Sequence, residues 1–64
     1  MTTQQEHLTK SGDSWAHTAR TAENHARLFR EAGDYDGADF WQRQADDAAA
    51  IAADFYRRAR EVQP

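Results

Sequence analysis

The chain of 64 residues predicts an all-α protein, an antiparallel two-helix hairpin, and two observations carry that reading. Small and aromatic residues recur at alternating steps of three and four through two long stretches, the spacing that lines one face of an α-helix. A short run holding Gly33 and Asp34 separates the stretches, too short to join anything but neighbouring helices that run in opposite directions.

The first dozen residues carry the weakest pattern. Thr3 and Glu6 have the spacing of a capping box, and Ser11-Gly12-Asp13 offers another N-cap. Residues 1–12 read as a short helix, as an extension of the first long helix or, with Leu8 their one large apolar residue besides Met1, as a disordered segment. The hairpin proper is expected over 13–64, with a helix over about 14–32, a turn at 33–34 and a second helix over about 35–62.

In the first long helix the series is Trp15, Ala19, Ala22, Ala26 and Phe29; in the second it is Ala38, Trp41, Ala45, Ala48, Ala52, Phe55, Ala59 and Val62. Both read as seams of alanine with aromatic side chains towards the ends, a pattern that lets two helices pack closely. Between them, in Glu31-Ala32-Gly33-Asp34-Tyr35-Asp36-Gly37, Gly33 suits the left-handed position that ends one helix, and Asp34 suits the N-cap of the next.

The second helix turns a polar face away from its seam. Asp36, Asp39, Asp46, Asp47 and Asp54 form an acidic patch, and Arg57, Arg58 and Arg60 a basic tail. Asp39 with Arg43, Asp54 with Arg58, and Arg57 with Glu61 have the i,i+4 spacing that supports a solvated helix. Tyr35 and Tyr56 fall on one flank, where their rings shield the seam and leave the hydroxyls in water. Leu28, Phe40 and Ile51 fit neither the seams nor the polar face. Phe40 and Ile51 lie about 80–100° from their seam, beside Gln44, and Leu28 lies well off its own. These four residues, Leu28, Phe40, Gln44 and Ile51, are the expected partner interface, unless an N-terminal segment carrying Leu8 curls over it.

The run from Glu31 to Ala38, with Ala26 and Phe29 before it and Ala45 after it, resembles the centre of a tetratricopeptide repeat. The likeness covers residues 22–48. It implies a tightly packed helix pair that presents a surface to protein partners. The chain departs from the repeat at Asp39, where an aliphatic residue is usual, and at Gln42, where an aromatic is usual. No proline closes the second helix near position 50. Such repeats need neighbours to bury their faces, and this chain contains one unit.

Composition narrows the function. Two Leu, one Ile, one Val and no Cys leave a thin core without disulfides, so self-association into a helical bundle, most simply a homodimer, is the expected way to complete it. The net charge of −3 disfavours general nucleic-acid binding. No apolar run approaches the length of a membrane span, and the start MTTQQEHLTK has no signal-peptide core, which points to the cytoplasm. His7, His17 and His25 form no metal-binding pair, Asp46 and Asp47 diverge by about 100° on a helix, and no phosphate loop or nucleophile motif occurs, so neither an enzyme nor a metal or cofactor is expected.

The expected function is therefore a small non-enzymatic protein-binding module that occupies a partner's surface. Arginine in seven of eight basic positions and abundant alanine suggest a GC-rich bacterium or its phage. One form of the module is a phage-encoded inhibitor of a bacterial defence complex, resembling an anti-CRISPR protein. The alternative is a nucleic-acid-associated regulator that uses the C-terminal arginines or mimics nucleic acid with its aspartates.

Overall fold

The computed structural model describes residues 3–62 and contains two helices, α1 (Gln4–Glu31) and α2 (Tyr35–Glu61), packed against each other as a hairpin. Of the described residues, 92% are helical. Positions 1, 2, 63 and 64, which belong to the expected terminal segments, lie outside the described residues.

α1 begins a full ten residues before the expected start near 14. Thr3 is its N-cap, and its Oγ1 accepts the Glu6 backbone N–H at 3.1 Å, which satisfies one of the orphan donors of the first turn. The boundary expected at residue 12 is absent: residues 4–12 are neither a separate helix nor disordered, but continue α1. Ser11-Gly12-Asp13 caps nothing and lies inside the helix. The physical reason is tertiary packing. Leu8 is half-buried, and Gly12 is buried against α2, where an added Cβ would stand 2.8 Å from Cε1 of the Tyr56 ring. A straight α1 cannot also curl over Phe40 and Ile51.

The turn is built from local backbone chemistry. Gly33 adopts φ 83°, its N–H donates to the Arg30 carbonyl at 3.0 Å, and the Asp34 N–H donates to the Phe29 carbonyl at 2.9 Å. These two bonds are a Schellman closure of α1. Asp34 then starts α2: its Oδ1 accepts the Gly37 N–H at 2.9 Å. Gly37 has a role that sequence reasoning did not assign, because a Cβ there would lie 2.7 Å from Cδ1 of Phe29.

Alanine makes the core. Ala19, Ala22, Ala26, Ala38, Ala45, Ala48, Ala52 and Ala59 are each 6% exposed or less, and no large side chain among the described residues is fully buried. All eight belong to the two seams. Short side chains let helices approach towards the lower end of the usual interaxial range of about 8–10 Å, so backbone packs nearly against backbone. Phe29, Trp41, Phe55 and Val62 flank the seam half-buried, while Trp15 is 39% exposed and closes nothing. The result is a slab of 50 × 18 × 10 Å. Neither helix is long and apolar enough to cross a membrane.

Candidate interaction face

One broad side of the slab carries an open groove lined by Trp15, Thr18 and Thr21 of α1 and by Trp41, Gln44 and Ile51 of α2. The pairing of the helices follows from the turn. With Gly33 and Asp34 at the bend, His25 stands opposite Trp41, and Gly12 and Asp13 stand opposite Tyr56. That register sets Trp15 level with Ile51. The His25 ring lies 4.5 Å from the Trp41 ring, held by its Nδ1–H, which donates to the Thr21 carbonyl at 2.9 Å. Phe40 meets the other edge of Trp41 edge-on at 5.4 Å. Because alanines separate the helices, these larger side chains stand beside the seam rather than within it.

Of the four expected interface residues, three gather here. Gln44 and Ile51 line the groove, and Phe40, 55% exposed, packs on the Trp41 that lines it. Leu28 does not join them. It is 59% exposed on α1 near the turn, and Tyr35 at the start of α2 is 66% exposed. Trp15 is the residue that sequence reasoning missed as part of this face. Its place in the seam series was legible, but the alanines around it are too small to hold the indole inside.

The opposite side of the slab is a shallow groove of Ala16, Ala19, Ala49, Ala52 and Ala53 ending at Tyr56. Tyr56 does not leave its exposed hydroxyl to water alone. Its O–H donates to the Asp13 carboxylate at 2.5 Å, across the two helices, and that bond, with partial desolvation and the carboxylate charge, holds the phenol above its ordinary pKa. Gly12 gives the ring its place. Replacing Gly12 by Ala normally stabilises a helix by about 1 kcal/mol. Here the added Cβ displaces the ring and breaks the link to Asp13, so Gly12→Ala is expected to destabilise the hairpin by about 1 kcal/mol in urea unfolding. In a Tyr56→Ala background the same substitution should become stabilising. A stabilising Gly12→Ala in the wild-type chain would contradict this packing.

The charged groups separate less cleanly than their order suggests. Asp36, Asp39, Asp46 and Asp47 are exposed; Asp46 accepts a hydrogen bond from Gln42 at 3.1 Å, and Asp47 borders the groove. Asp54 belongs instead with the basic tail: it pairs with Arg57 and, at 3.0 Å, with Arg58, while Arg57 also approaches Glu61 at 3.9 Å. Arg58 further lies 5.9 Å from the Phe55 ring centre. Two of the three tail arginines are thus partly neutralised within α2, which weakens the case for a phosphate-binding stripe. Asp39 and Arg43 form no ion pair among the described residues, and no cluster of three or more His, Asp or Glu side chains there is arranged to hold a metal ion.

No protein family, curated protein or solved structure matches this chain.

Proposed function

We propose that the chain is a small, non-enzymatic protein-binding module that acts in the cytoplasm by occupying a surface of another protein. One observation carries the reading. The core is made of alanine alone, while Trp15, Phe40 and Ile51 remain 37–55% exposed together on one broad face. A small protein that leaves three large apolar side chains in water on one face presents the anchors of an interface, since binding energy concentrates in such residues.

The tetratricopeptide-like turn supports the same direction, as that family works by presenting helix pairs to proteins. Helices of 28 and 27 residues, however, exceed what a repeat of about 34 residues holds. A phage-encoded inhibitor of a bacterial defence complex, anti-CRISPR-like, is the specific form we favour. Small size, acidity and the preference for Arg over Lys support it.

The test is Phe40→Asp combined with Ile51→Asp, both at exposed positions where the helix persists. Wild-type protein immobilised in a bacterial lysate should retain a specific protein, and the double variant should bind that protein at least about 30-fold more weakly while keeping its helical circular dichroism. Equal retention by both forms would remove this face from the function.

A further inference from the structure

We propose that the groove face is covered by a second copy of the chain, laid end for end, with Ile51 and Trp15 meeting their own counterparts at a two-fold axis that crosses the width of the hairpin. The inference rests on the reading that a protein covers this face; it assigns the face to a second copy and leaves the two ends of the hairpin pair to an unlike protein.

Area is the first ground. The hairpin exposes 4787 Å², whereas a compact monomer of 7.3 kDa exposes about 4,200 Å². The excess of about 600 Å² matches what this arrangement hides. With the axis at Ile51, the stretch from Phe40 to Val62 overlaps its partner over about 33 Å, across a face 18 Å wide. That is about 600 Å² from each copy, at the lower end of stable specific interfaces.

Side-chain complementarity is the second ground. In an antiparallel pair of α2 helices centred on Ile51, Phe40 stands level with the partner's Val62, and Gln44 stands level with the partner's Arg58. The same offset sets the apolar side chain near the start of each α2 against the apolar side chain at the end of the other, with Ile51 at the centre. Placing the copies with both turns at one end forfeits this match, because Phe40 then lies level with its own counterpart and Val62 with its own. Trp15 and Ile51 are the large exposed side chains that the two helices offer at one level of the groove, which fixes the axis there. Leu28, Tyr35, Asp36 and Asp39 remain outside the overlap, at the two far ends of the dimer, free for an unlike protein.

The chain contains no cysteine, so introduced thiols report geometry directly. Wild-type protein at about 50 μM should sediment at twice the chain mass, with a helix melting temperature that rises with concentration. Ile51→Cys should form an intermolecular disulfide at least about tenfold faster than Ala53→Cys, which lies on the opposite groove. If Ile51→Cys itself sediments as a monomer, the double variant Gln44→Cys with Arg58→Cys takes its place; within one chain these positions are about 21 Å apart along α2, so their disulfide reports the end-for-end pair.

A wild-type monomer, or a dimer whose thiols link no faster than at Ala53, overturns the proposal. A monomer that still captures a protein through Phe40 and Ile51 overturns this inference and leaves the binding function intact. A dimer that captures no protein does the reverse.

Discussion

Ala45→Leu is expected to destabilise the hairpin by about 3 kcal/mol, read as a fall in the urea midpoint of the helical signal. Ala45 is 0% exposed in the middle of the α2 seam, and Ala26 of α1 is equally enclosed. Leucine adds three carbons where the helices touch through methyl groups, so no rotamer fits without moving the helices apart. Moving them apart weakens the neighbouring contacts of Ala22, Ala26, Ala48 and Ala52 as well, since a straight helix pair separates as a unit. For a domain this size, whose whole stability is on the order of 3–10 kcal/mol, the loss brings the fold near its limit. Ala50→Leu is the control. Ala50 is exposed, and the same chemical change there should stay within about 0.5 kcal/mol. Comparable losses at positions 45 and 50 would mean that the helices do not meet along the alanine seam.

Gly33→Val is expected to cost about 2 kcal/mol and to lower the thermal midpoint by on the order of 10 °C. The backbone at Gly33 has φ 83°, and no heavy atom stands within 4 Å of a Cβ built there, so the penalty is conformational rather than steric crowding by neighbours. Valine suffers most because its branched Cβ conflicts with its own backbone in the left-handed region. Gly33→Asn should recover about half of the loss, because Asn visits this region more readily. The two bonds that close α1, from Gly33 to Arg30 and from Asp34 to Phe29, exist only when residue 33 is left-handed. If Val and Asn substitutions cost the same, this closure is not what terminates α1.

Much of the fold was legible in the residues because its causes are local or periodic. The alanine series located all eight buried alanines, since the period of an α-helix puts them on one stripe. Gly33 and Asp34 marked the turn because each residue type has a backbone preference that the position requires. Phe40, Gln44 and Ile51 were legible as one surface through their angle from the seam, and they do stand together on one side of α2.

Other features were hidden because they depend on what the opposite helix places at the same level. Leu28 was grouped with the interface by its angle from the first seam, and it is exposed near the turn rather than among the residues that line the groove. Trp15 has the right period for a core residue, but whether an indole is enclosed depends on the distance between helices, which the alanines set. The i,i+4 rule correctly paired Asp54 with Arg58, and it missed that Arg57 reaches the same carboxylate.

By itself the sequence determined that two helices form, where they turn, and that their contact is made of alanine, because capping, left-handed glycine and helical period act through neighbours in the chain. Only the tertiary structure decided that α1 runs unbroken from Gln4 and that Gly12 seats Tyr56 against Asp13. It also decided that the tryptophans stand beside the seam. The physical reason is common to all three. Each depends on the close approach of residues about 16 to 45 positions apart, and the helix separation that sets this approach follows from the summed size of both seams rather than from any single stretch of chain.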